Sequence, residues 1–308
     1  MGVRLGVVQP GEQGLRALAA RSRAALDATL REPGELWVAV ASEPGVLLGA
    51  FQRTQGLEGQ GLLRRRGSGG PEVRVAPGSV HVLLSLSTPA ALVPCDEKRI
   101  VNRHVRPLLR ALTRTGHLAH YFGRDWVSVA GQPVAWVGFA HDATTRRTAF
   151  EALVAIGAPF AVRARESLRG KDAGVVDVEP SRLVGAIVEA YGRDAEPVEL
   201  GAPAPPADET PADEPPWAAT REEVIGTLGA GPDARGVFRV GGDLLASRDA
   251  LARFEAAVVV PGVDLGRVTD ETLAAPGVAL DGVRSLSSVR DCVSEALLGR
   301  QVGHGPQG

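Results

Sequence analysis

Apolar side chains recur along this chain at two periods, and the changes between them lay out its elements. In residues 12–31, Leu15, Leu18, Ala19, Leu26 and Leu30 fall at helical spacing, and Pro33-Gly34 supplies a stop. Short β-rich runs follow at 36–41, 46–51 and 80–87. Asp96 offers a cap for a helix reaching residue 115, with Ile100, Val101, Val105, Leu108, Leu109 and Leu112 on one face. The runs 125–129 and 134–140 flank Ala130-Gly131-Gln132-Pro133, which reads as a hairpin. The pattern then predicts a helix near 147–156, a strand near 160–163 and a helix over 181–191. Further on it predicts helices at 221–228, 248–258 and 287–298, with a strand at 236–240. Strands joined by hairpins with helices interspersed argue for an α+β fold, not a doubly wound parallel sheet.

Composition divides this pattern in two. Residues 195–216 are proline-rich and acidic, with too few apolar side chains to build a core, and read as an extended linker. The expected organisation is a large domain over 1–194, a small α+β domain over 217–300 that moves relative to the first, and a tail over 301–308. A net charge of −2 and 4% aromatic residues argue against a nucleic-acid or anionic-membrane partner. Two distant cysteines, Cys95 and Cys292, make no disulfide framework. With no leader-like or membrane-spanning segment, the expected location is the cytoplasm. Any chemistry that needs a lysine has two candidates, Lys98 and Lys171.

The stretch 62–78 carries the most chemistry. Arg64, Arg65 and Arg66 lead into Gly67-Ser68-Gly69-Gly70, and Val73 and Val75 follow in alternation with Arg74. Glycines admit close backbone approach, and arginines beside exposed N–H groups make an anion site; the plain alternative is a solvated strand end. The pattern resembles the lipoate–protein ligase family, whose signature is Arg-Arg-x-Ser/Thr-Gly-Gly-Gly-x-Val-x-His. Arg65, Arg66, Ser68, Gly69, Gly70 and Val73 match; Pro71 and Val75 stand where the third glycine and the histidine belong. Other segments follow the family in order. Residues 46–52 end in Gly-x-x-Gln at Gln52. Gly123-Arg124-Asp125 is similar to the family's Arg-Asn-Asp, and Gly131-Gln132-Pro133-Val134-Ala135 to its Gly-x-Lys-Ile/Val-Ser/Ala. Gly242-Asp243-Leu244-Leu245, with Leu251 and Glu255, resembles the accessory-domain pattern.

That resemblance implies a biotin/lipoyl ligase-like mixed sheet with flanking helices and a small α+β accessory domain. It implies transfer of a lipoyl or octanoyl group to a carrier-protein lysine, with ATP and Mg as cofactors and a lipoyl domain or acyl carrier protein as partner. The substrate and anion contacts it implies are Arg65, Arg66, Ser68, Gly69, Gly70, Val73, Gly78, Arg124, Asp125, Val134 and Ala135. The family lysine falls at Pro133, which offers neither a cation nor an N–H, so no catalytic group is assigned. Trp136 stands where the family has a glycine, and neither cysteine lies in a nucleophile motif. The alternative is a non-catalytic relative that binds an acyl group, a nucleotide or a carrier protein. An unrelated α+β protein is a third reading, and it fails if the glycine turn and the 124–140 hairpin adjoin.

Four further features have two readings each. Glu72 either pairs with a neighbouring arginine or faces solvent. His117 and His120 form a metal pair or, on opposite strand faces, are ordinary polar histidines. His141-Asp142 is a base with its orienting carboxylate, or Asp142 closes a turn. Trp126, Trp136 and Phe139 line an acyl tunnel or are plain core.

Overall fold

The computed structural model of the chain describes residues 2–302, apart from 58–60, 124, 161–165, 205–206, 208–210 and 212. The first domain runs β1 (Arg4–Gln13), α1 (Leu15–Ala24), β2 (Gly34–Ala41), β3 (Gly45–Leu48), β4 (Leu63–Arg65), β5 (Val73–Val75) and β6 (Val80–Leu86). It continues with α2 (Ile100–Arg114), β7 (Ala119–Tyr121), β8 (Trp126–Val129), β9 (Gln132–His141), β10 (Thr148–Val154), α3 (Pro180–Gly192) and β11 (Glu196–Glu199). The small domain holds β12 (Ala219–Glu223), β13 (Gly226–Pro232), β14 (Phe238–Gly242), β15 (Leu245–Ala246), α4 (Arg248–Val258), α5 (Leu265–Thr272), β16 (Leu280–Asp281) and α6 (Leu286–Val302).

The eight-stranded sheet has the order β11-β1-β2-β6-β10-β9-β8-β7. Its β11–β1–β2 edge is parallel and the remainder antiparallel, so it is a mixed sheet. Alternate side chains serve opposite faces. Leu36, Val82, Leu84, Val137 and Phe150 pack under α2 and α3. Trp37, Leu83, Trp136 and Leu153 face α1 and the three-stranded sheet β4-β3-β5. The fold is α+β, with this second face positioning the glycine turn.

Several sequence expectations need correction. Residues 147–156 hold strand β10, not a helix. Every residue of Thr148–Val154 is buried, and a strand covered on both faces shows no alternation to distinguish it from a buried helix. Residues 221–228 span the β12–β13 hairpin instead of a helix. The first helix is confined to α1, because β1 occupies the residues before it. Arg99, not Asp96, is the N-cap of α2, with one 3₁₀ turn intervening. Most of the strand expected at 160–163 lies outside the described residues.

The acidic tract is not a free tether. Glu196–Glu199 pairs in parallel with β1, and Arg53 Nη1 donates to the carbonyls of Pro215 (2.6 Å) and Pro216 (2.9 Å). The small domain is fastened as well. Gly242 N donates to Phe51 O, Ser167 N to Val224 O and Gly277 N to Glu97 Oε1, while His141 and Ser247 form a parallel bridge. The small domain, expected from the tract's composition to move relative to the first, shares these hydrogen bonds with it. Prolines and acids withheld a core from the tract but left its carbonyls and N–H groups able to pair. The expected tail begins inside α6, and residues 303–308 lie outside the described residues.

Candidate functional site

The glycine turn between β4 and β5 lies over β9 and β10. Gly69 N donates to Phe139 O at 3.1 Å, so the turn and the 124–140 hairpin adjoin, which removes the unrelated-fold reading. Gly70 N donates to Leu244 O at 2.9 Å, and Gly67 N to Ser22 Oγ at 2.8 Å. A Cβ on Gly69 would stand 2.4 Å from Leu244 O. The glycine there admits the small domain's backbone instead of a phosphate. Three N–H groups that an anion would need thus have protein acceptors.

Arg66 is fully buried. Its Nη1 donates to Leu47 O (2.8 Å), its Nη2 to Gly69 O (2.9 Å) and Pro71 O (2.7 Å), and its Nε to Ser68 Oγ (3.1 Å). Its guanidinium carbon lies 3.9 Å from the centroid of the Trp136 ring. The ring leans forward along its own strand over Gly138, where a Cβ would stand 2.5 Å from it. Arg66 and Trp136 therefore fill the space between turn and sheet. Arg66, expected from the sequence at an anion-binding edge, here directs its donors to Leu47 O, the turn's own carbonyls and Ser68 and clamps the turn.

Beneath them lies Glu151 on β10, with no exposed surface. Its carboxylate accepts from Ser22 Oγ (2.8 Å) and Ser68 Oγ and meets His81 Nε2 at 2.6 Å. Burial pushes its pKa up, but His81, Arg66 and Ser68 outweigh that and hold it below the ordinary value. Sequence reasoning missed this cluster. Its one signal was a lone Glu151 and a lone His81 inside apolar runs.

Arg65 is also engaged. Its Nη1 donates to the carbonyls of Gly49 (3.3 Å) and Gln52, and its Nη2 meets Glu214 Oε2 at 3.1 Å. The acidic tract thus supplies the carboxylate beside this arginine. Both residues border a cavity of about 320 Å³ at the domain junction. Glu72 is buried and accepts from Gln52 Nε2 at 3.0 Å, so it does not face solvent. Gln52 also reaches Asp243 Oδ1, tying the motif strand to the small domain.

The other expected contacts are dispersed. Val73 is buried in the core of the second face, and Val134 and Ala135 in that of the first. Gly78, at φ +86°, donates its N–H to Ala41 O. Asp125 is buried and receives Ser167 Oγ at 3.4 Å; Arg124 lies outside the described residues. Pro133 offers only its carbonyl, to Gly174 N at 2.8 Å. Trp126 donates from its indole to Ser167 O, and Lys171 Nζ lies 5.5 Å from the Trp126 centroid. Phe139 belongs to the first-face core. Burial pushes the Cys95 and Cys292 thiols up to about 11, which leaves both protonated and poorly nucleophilic at neutral pH. His141 meets Thr148 Oγ1 and Gly277 O, while Asp142 accepts from Thr145 N and Oγ1, so Asp142 closes a turn. His117 contacts Thr115 Oγ1 and His120 stacks on Phe122, apart from one another. Among the described residues, no three His, Cys, Asp or Glu side chains are grouped to hold a metal ion. No described helix is long and apolar enough to cross a membrane.

No protein-family model and no curated protein matches the chain. Solved structures do. A bi-partite lipoate protein ligase from Thermoplasma acidophilum, described with its E2 lipoyl domain, matches at 15% identity and a TM-score of 0.52, over 66% of this chain and 88% of that one. A lipoate-protein ligase A bound with ATP matches at 14% and 0.52, over 66% and 90%. A putative lipoate protein ligase from T. acidophilum with bound lipoic acid matches at 13% and 0.52, over 66% and 91%. The chain is similar to lipoate–protein ligases in fold.

Proposed function

We propose that this protein is a non-catalytic relative built on the lipoate–protein ligase fold, and that it recognises a carrier protein of the lipoyl-domain kind without acylating it. The observation that carries the reading is the Arg66–Trp136 stack at 3.9 Å, which takes up the space between the glycine turn and the sheet. The cofactor fit points the same way. The N–H groups of Gly67, Gly69 and Gly70 have protein acceptors, and Arg65 and Arg66 bond to carbonyls, Ser68 and Glu214. These groups do not fit ATP with Mg, nor the carboxylate of lipoate or octanoate. The lysine position is Pro133, and losing one group that stabilises developing charge costs about 10²–10³ in rate. Support for the partner comes from the ligase fold and from the neighbour described together with its E2 lipoyl domain. The competing reading, an active ligase or octanoyltransferase, needs these donors to be released.

Incubation with ATP, lipoate or octanoate, and a lipoyl domain or acyl carrier protein, followed by intact mass measurement of the carrier, tests this reading. The carrier mass should not change, while a calorimetric titration should detect carrier binding. Acylation at the rate of an intact ligase would refute the first half; absence of binding to either carrier would refute the second.

A further inference from the structure

On the face of the main sheet opposite the glycine turn lies a cavity of about 330 Å³. Leu84, Leu92, Val93, Pro94 and Tyr191 form its apolar side. The polar groups close to its inner end are already matched. Tyr191 Oη donates to His104 O at 2.7 Å, and His104 Nε2 lies 3.0 Å from Pro89 O.

The rim is different. Arg103, Arg106 and Arg110 border the cavity from one face of α2, at helical spacings of three and four. Arg110 is balanced in part, its Nη2 meeting Asp194 Oδ2 at 2.8 Å and Ala190 O at 3.1 Å. Arg106 has a single neutral acceptor, Asn102 Oδ1 at 3.3 Å. The Nε atoms of Arg103 and Arg110 are buried without a hydrogen-bond partner. Among the described residues, Asp194 is the carboxylate that borders the cavity beside these three guanidinium groups, and Asp96 acts on Arg103 from outside the lining. The volume lies at the low end for a ligand pocket.

We propose that this cavity binds a compact apolar acid, its hydrocarbon body against Leu84, Leu92 and Tyr191 and its carboxylate or phosphate at Arg103 and Arg106. Guanidinium groups suit either anion. The site is separate from the glycine turn and does not depend on the proposed carrier binding.

Calorimetric titration of the full chain with 4-phenylbutyrate, phenyl phosphate and the neutral 4-phenylbutan-1-ol tests it. At least one anion should bind about tenfold or more tightly than the alcohol, and the tighter anion identifies the head group. The double variant Arg103→Gln/Arg106→Gln should weaken the anion about tenfold, with the melting temperature recorded to verify folding. Val93→Trp should obstruct the apolar end and weaken all three compounds. Arg267→Gln, an exposed arginine on α5, controls for lost charge and should change nothing. Anions no tighter than the alcohol, no heat up to about 1 mM, or affinities untouched by both cavity variants would overturn the proposal.

Discussion

Glu151 shows how one residue can organise a site without reaching solvent. Its folded pKa lies below the ordinary 4.5, so its stabilising contribution is complete above that value. It is lost as pH falls from there through the folded pKa, because the unfolded chain takes up the proton first. Denaturant midpoints should therefore drop on acidification below about pH 4.5, and Glu151→Gln should flatten that part of the profile while lowering stability at neutral pH. His104 acts earlier. Burial lowers its pKa from 6.5 to about 4, so its own destabilising protonation extends over that window. An unchanged slope in Glu151→Gln would remove the carboxylate from the account. The glycines and arginines of the turn were legible from the sequence, but the recipients of their hydrogen bonds were not. Arg66 finds Leu47, Gly69 and Pro71, and Arg65 finds Glu214, 149 positions away. No local pattern encodes whether an arginine's donors turn toward a ligand or toward its own chain.

At the scale of elements, periodicity succeeded where one face meets solvent. Helices α2, α3, α4 and α6 carry apolar stripes and were placed to within a few residues. It failed for β10, whose Ala, Glu and Leu are good helix formers held in a strand by pairing with β6 and β9 on both sides. The β8–β9 hairpin was legible from its Ala-Gly turn, which has both residues at positive φ, 49° at Ala130 and 81° at Gly131. A left-handed alanine is unfavourable, and asparagine tolerates that region better. Ala130→Asn should stabilise the protein by about 0.5–1 kcal/mol, read from the urea midpoint at constant slope. A loss of stability would mean that the turn's strain is not at Ala130.

Across the whole molecule, the two domains share buried polar contacts. Asp243 sits at their centre, receiving Gln52 Nε2 from the first domain and Thr227 N (2.7 Å) from its own. Removing it strands Thr227 N and leaves Gln52 Nε2 with Glu72 alone, at about 1–3 kcal/mol. The intact chain should unfold in one calorimetric transition, and Asp243→Ala should split it or expose the segment before β12 to protease. A variant that still melts in a single peak at the original temperature would show that the docking rests on other contacts.

The position of β11 has a consequence for the molecule's company. Without it, β1 would be the margin of the large sheet, a ten-residue row of backbone groups open to another chain. The strand that takes this place is four residues long and carries two glutamates and a proline. At the opposite margin, β7 has three residues. Short, charged or proline-bearing margins are poor templates for a neighbour's strand. The acidic tract thus covers the Arg4–Val7 part of that margin with a strand poorly suited to template another chain.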